Sequence, residues 1–318
     1  MQLKLYFLPS KEIATRVTEI FDFVWPTATA IWNLRWQVQG LVGVRPSITE
    51  AELRGRFVDG SGIRGANLKR SCIDTTWEVQ QEQFAKFLLF EFCALYETWC
   101  EIISTHLALA KDTSKHLQFP SSTDKSRRVK SIEKFFSQTE NHQSPIFSNS
   151  IQSTLASNKK YSPNHIQELL ACYRYFKELR NCLIHGSSGA LDKLITQEQI
   201  YSKLSAAELG LTQRPEYIPL SSSTTPTLSL RGVVGFGEVV LRLVCTLDIH
   251  LAGTSYAESE FKSRWKVANG ATAIPVSTLD ANKRKIRIGV LTKKLGLPAP
   301  HITQDFADWL KAEKLIFF

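Results

Sequence analysis

The stretch that most limits what this chain can become runs from Trp77 to Ala110, because it carries two apolar stripes instead of one. Trp77, Phe84, Leu88, Phe92, Leu95, Trp99 and Ile102 recur at three- and four-residue spacing and predict one face of a long helix. Leu89, Cys93, Tyr96 and Cys100 predict a second face almost opposite the first. A helix apolar on two sides has to be enclosed on two sides. One face is expected to pack inside a bundle, and the other against a further domain or a second copy of the chain.

The rest of the sequence reads as helices of the same kind. Residues 1–75 are mostly helical, with a short first strand at Leu3–Leu8 and Pro26 as an early break or helix start. Ser47-Ile48-Thr49-Glu50 reads as a capping box opening a helix to about Val58, and Asp59-Gly60-Ser61-Gly62 as a turn. Phe21, Phe23, Trp25, Trp32 and Trp36 at helical spacing are read as core, with a stacking platform for bases as the other reading. Residues 111–164 break the pattern. Their first half is basic, with Lys125, Arg127, Arg128 and Lys130 as candidate RNA contacts and a short helix at Ser126–Ser137. The segment is either a basic flap along an RNA backbone or a solvated insertion.

Helical pattern returns at Ile200–Leu209 and Gly232–Leu251, where Gly232, Gly235 and Gly237 lack the spacing and preceding strand of a nucleotide loop and point to close helix packing. Near the end, Val290–Leu297 and His301–Leu315 flank Gly296 like a helix-turn-helix, preceded by the basic Lys283, Arg284, Lys285 and Arg287. Asp305, Asp308 and Glu313 on its second helix argue for a protein contact rather than base reading.

Between Tyr161 and Gly186 the chain predicts an amphipathic helix, capped at Asn164 with Glu168 behind it and stopped by Gly186. With Phe176 at zero on a helical wheel, Arg180 falls about 40° away, inside the apolar stripe. Asn181 and His185 sit one turn apart near its opposite edge. A guanidinium on an apolar stripe needs a partner or a purpose, since burying an unpaired charge is expensive. Glu91 is one partner to consider, a solvated carboxylate being the plainer reading of it.

Arg180, the polar Asn181 and then His185 at the end of a helix resemble the motif of the HEPN superfamily, compact α-helical bundles of which many members are metal-independent endoribonucleases. The resemblance covers roughly residues 75–252. It implies an all-α fold with an N-terminal helical region (1–75), a HEPN-like bundle (76–255) and a small winged-helix-like C-terminal module (256–318). It also implies that His185 acts as acid and base, that Arg180 clamps phosphate, and that Asn181 orients His185 or the substrate. In such nucleases two motifs face each other across a dimer, so a homodimer is expected. RNA processing, toxin–antitoxin and antiviral-defence systems are the family's settings, which makes an antitoxin or defence-complex protein an expected partner. Some members keep the fold without cleaving, and a helix can end Arg-Asn-x-x-x-His-Gly for its termination alone. A non-catalytic scaffold that binds nucleic acid or a partner is therefore the competing reading.

Composition agrees with a polyanion partner. The 318 residues carry a net charge of +9, against an ordinary 22% charged and 43% hydrophobic content. Six cysteines without a C-x-x-C pair read as small buried thiols of a reducing cytoplasm, and no cofactor or metal is expected. Leu3–Leu8 is broken by Lys4 and followed by Lys11 and Glu12, so no signal peptide is read. No uncharged apolar run approaches the ~20 residues of a membrane span. The expected location is cytoplasmic.

Overall fold

A computed structural model describes residues 3–110, 112–118, 130–220, 226–276 and 280–318. Its long helices are α1 (Leu8–Val44), α2 (Glu50–Phe57) and α3 (Trp77–His106), then α4 (Thr113–Gln118) and α5 (Lys130–Glu140). Two single turns, α6 (Pro145–Phe147) and α7 (Ser153–Leu155), lead to α8 (Ile166–His185) and α9 (Ser188–Tyr201). Then come α10 (Leu230–Ala252), α11 (Ser255–Asn269), α12 (Ala281–Lys293) and α13 (Gln304–Ala312). Two-residue strands β1 (Ile274–Pro275) and β2 (Ile316–Phe317) pair in parallel. The fold is an all-α helical bundle, as the periodicity predicts.

The centre is built from α3, α8 and α10, with α1 antiparallel along α3 and α9 folded back on α8. Phe236 of α10 stacks on Phe176 of α8 at 4.6 Å and meets Phe92 of α3 at 6.4 Å. Glycines make this approach feasible. A Cβ on Gly237 would stand 2.8 Å from the Phe92 ring, and one on Gly232 would collide with the Glu216 carbonyl. Most of both faces of α3 is covered by the same chain, part of it by α1 from the expected N-terminal region, while Ile102 of the first stripe stays 42% exposed. Tyr96 packs on Tyr173 of α8 at 4.5 Å and donates its hydroxyl to the Leu117 carbonyl of α4. The opposite face meets α1 and α10.

Several local expectations are corrected. Leu3–Leu8 forms no strand, because the N–H groups of Tyr6 and Phe7 bond the buried Asp248 carboxylate of α10 and Leu8 already opens α1. Pro26 does not break α1. It is solvent-exposed, so the carbonyl it leaves unbonded is free to meet water, and the Thr27 hydroxyl bonds the Phe23 carbonyl nearby. The capping box is real but shifted: Thr49 and Glu52 exchange the bonds, while Glu50 accepts the N–H groups of Leu68 and Lys69. Asn164 lies in a short 3-10 turn, and α8 begins without a side-chain cap. Residues 202–210 are turns, with Ser205 and Glu208 bonding reciprocally, and the helix of that region is α9, ahead of them.

The aromatic run of α1 departs furthest from expectation. Trp25, Trp32 and Trp36 are 44%, 38% and 60% exposed and Phe23 is 70% exposed, so the core reading fails for them. Helical spacing puts side chains on a common face but does not supply anything to cover it.

One apolar core runs from Leu5 to Ile316 and draws on all three of the expected segments. A second, small core lies within the first segment, formed by Val38, Ile48, Leu53, Val58, Leu68 and Cys72. At the C-terminal end α12 starts at the Asp280 cap, so the basic run Lys283–Arg287 is already helical, and Gly296 takes a positive φ of 63° at the turn. The second helix of this pair packs into the main core: Trp309 and Phe306 meet Phe147 and Phe261 at 4.9 to 6.0 Å. All six cysteines are buried free thiols. Among the described residues no helix is long and apolar enough to cross a membrane.

Candidate functional site

Helix α8 holds its place through Leu169, Leu170, Cys172, Tyr173, Tyr175, Phe176 and Leu179, all buried. It ends where Gly186 turns left-handed at φ 57° and gives its N–H to the Cys182 carbonyl, which makes His185 the last helical residue. The side of α8 away from Phe176 is polar but not open. Lys177, its side chain 3% exposed, reaches Glu97 of α3 and the Gln118 carbonyl of α4, both at 2.9 Å. Gln118 in turn donates to the Glu97 carbonyl and to Glu101 Oε1. Buried charges are tolerable here because each has a partner.

A second chain of polar contacts leads towards the helix end. Arg174 Nη2 meets Glu178 Oε1 at 2.6 Å, Asn181 Nδ2 donates to Glu178 Oε2 at 3.3 Å, and Arg180 Nη1 donates to Asn181 Oδ1 at 3.1 Å. Arg174, Glu178, Asn181 and His185 step along one face at intervals of four, three and four. Sequence reading missed Arg174 and Glu178 as members of the site. Their i, i+4 spacing, one turn before Asn181, was the signal available.

Asn181 therefore holds the Arg180 guanidinium and makes no hydrogen bond to His185, which corrects half of its expected role. Arg180 Nε is buried and has no acceptor among the described residues. The guanidinium lies towards α3: burial pushes the Cys93 thiol up to about 12 and Glu97 adds to the rise, while the Arg180 and Lys177 charges pull the other way. Glu91 is not the partner of Arg180. It pairs with Arg16 of α1 at 3.7 Å, because the α1-facing edge of α3 carries it. His185 is exposed and makes no hydrogen bond among the described residues, and the neighbouring Ile184 is 47% exposed.

Of the expected RNA contacts, Lys125, Arg127 and Arg128 lie outside the described residues. Lys130 opens α5. The structure thus brings together Arg180, Asn181 and Glu178 and places His185 one turn further on, accessible to a solute. Such a set can offer a fixed cation with an unused N–H and, further along the same helix, a group able to give or take a proton. Compared with family models, with characterised proteins and with solved structures, the chain matches none.

Proposed function

We propose that the chain is a metal-independent endoribonuclease whose site lies at the C-terminal end of α8. The observation that carries this reading is the state of Arg180. One edge of its guanidinium is held by Asn181, while its buried Nε–H has no acceptor among the described residues. A buried donor left unbonded is costly and calls for an acceptor, and a phosphate oxygen matches the planar fork. His185, one turn beyond Asn181 and open to solvent, takes the proton of the RNA 2′-hydroxyl as that oxygen attacks the adjacent phosphorus. The same residue type returns a proton to the departing 5′-oxygen, and Arg180 holds the charge that builds on the phosphorane oxygens. Asn181, anchored by Glu178, sets the guanidinium's direction. DNA lacks the 2′-hydroxyl and is no substrate for this chemistry.

Acid and base together call for two histidines, so the site is composite across a homodimer. The α8–α9 corner, where Ile184 and Ile195 are exposed, is the apolar surface next to His185 and the place for that contact. A toxin or antiviral-defence role, with an antitoxin or complex partner, follows from the resemblance alone. The test is a cleavage assay on total RNA in EDTA with wild type, His185→Ala and Arg180→Gln, each shown to be folded. Products ending in 2′,3′-cyclic phosphate, lost in both variants, support the reading, and cleavage that survives His185→Ala sinks it.

One observation favours the second reading, a non-catalytic scaffold. Lys177 on the polar face of α8 docks it on α3 through the Glu97 ion pair and on α4 through the Gln118 carbonyl, and His185 has no carboxylate or carbonyl orienting its ring among the described residues. On that reading Arg180→Gln shifts stability, and no RNA is cut by any form of the protein.

A further inference from the structure

The exposed tryptophans of α1 have neighbours that suggest what covers them. Phe21, Trp25, Trp32 and Trp36 follow one line along the helix, at the seam with α3. Trp25 stacks on Phe21 at 5.8 Å, and Trp32 contacts Trp36 at 5.7 Å and Trp77 of α3 at 5.0 Å. None of the indole N–H groups of Trp25, Trp32 and Trp36 has an acceptor among the described residues. These rings are pre-set in a row and left open.

The arm beyond them is basic. Residues 34–74 carry seven cations against four acids. Two of the acids are occupied, Glu50 with the N–H groups of Leu68 and Lys69 and Glu52 with Thr49 and Arg45. Arg54, Arg56, Arg64 and Arg70 are exposed and form no ion pair among the described residues. Arg70 opens the π turn (Arg70–Asp74) that Arg35 and Gln39 bond, on either side of Trp36. A ligand that spans the tryptophans and this arm has to present flat apolar surfaces together with repeated negative charge. Single-stranded nucleic acid offers both in every nucleotide, and a duplex keeps its bases stacked inside.

We propose that the Trp25–Trp32–Trp36 seam and the arginines of the α1–α2 arm form a binding site for single-stranded RNA, separate from the end of α8. That the strand is RNA rather than DNA rests on the ribonuclease reading. The stacking surface itself does not.

The test uses the full chain and a labelled 2′-O-methyl oligouridine, which lacks the free 2′-hydroxyl and so reports binding whatever the fate of the catalytic proposal. Trp32→Ala/Trp36→Ala is expected to weaken binding by about tenfold or more per tryptophan and to remove quenching of the indole fluorescence. Arg54→Ala/Arg56→Ala is expected to weaken it severalfold and to flatten its salt dependence. Circular dichroism melts confirm that each variant is folded. Unchanged affinity in the tryptophan variant, or equal and tryptophan-independent binding of a duplex, overturns the proposal. Preference for a DNA strand overturns the assignment to RNA. Loss of self-association by light scattering, with oligouridine affinity intact, overturns it in favour of a second copy on this face.

Discussion

The two ends of α1 are fastened by opposite charges. At the inner end the fully buried Asp248 accepts the N–H groups of Tyr6 and Phe7 at 2.7 and 3.0 Å. At the outer end Arg35, also buried, donates to the carbonyls of Ser71 and Thr75 at 2.8 and 2.7 Å and to Gln80 Oε1 at 3.2 Å. Each charge answers the backbone groups that a helical end leaves unbonded, N–H in one place and C=O in the other. The inner end then enters the main core, while the outer end stands on a small core of its own. Residue type does not say which end is which. Trp99, fully buried, gives its indole N–H to Ser10, whereas Trp32 and Trp36 of the arm lie open.

The largest expected effect comes from Trp99→Ala, which empties a central site and should cost about 3–5 kcal/mol in urea unfolding. A loss under 1 kcal/mol would show that the inner end is far less tightly packed than its burial suggests. Asp248→Ala strands two N–H groups and should cost about 3 kcal/mol, with Asp248→Asn costing less.

The same residue offers a pH test. Burial pushes the Asp248 carboxyl up from 3.8 to about 6, against the pull of the Tyr6 and Phe7 N–H groups, the Ser10 hydroxyl and Lys11. Two residues on, burial pushes His250 down from 6.5 to about 4. Folded Asp248 holds its proton more tightly than the unfolded chain does. Its contribution is therefore greatest below pH 3.8 and is lost as pH rises to about 6. His250 acts in the opposite sense, with a contribution complete above pH 6.5 and lost as pH falls to about 4. Each is worth about 3 kcal/mol, so the two slopes largely cancel. Asp248→Asn should expose the His250 slope, with stability falling on acidification. His250→Gln should expose the opposite one, and parallel slopes in the two variants would refute the pairing.

Arg35→Ala should cost about 2 kcal/mol and act locally. Hydrogen exchange is expected to speed up in residues 34–75 while the α3–α8–α10 core keeps its protection. Uniform loss would mean that the arm and bundle unfold as one body. Smallest of all, Trp36→Ala should change stability by less than about 0.5 kcal/mol, since little packs against that ring.

Much of this fold was legible. The two stripes of α3, the Gly186 stop, the close-packing glycines of α10 and the all-α class follow from spacing and side-chain size. Helix boundaries were less legible: Pro26 and the Thr49 cap turned on whether a carbonyl met water and on which carboxylate was nearer. At the candidate site, Arg180, Asn181 and His185 could be singled out from the sequence, but the partner of Arg180 could not. Glu91 and Asn181 are equally polar on paper, and the antiparallel run of α1 along α3 gives Glu91 to Arg16.

By itself the sequence determined which side chains share a helical face, where helices must stop, and that Arg180, Asn181 and His185 fall together at the end of one helix. These depend on contacts within a few residues, which local geometry imposes on any chain. Tertiary structure alone decided which faces are covered. The Asp248 contact joins residues 242 apart, and Trp99 and Trp36 differ only in what other helices bring to them. Burial is a property of the neighbours a side chain acquires, and periodicity names the face without naming the neighbour.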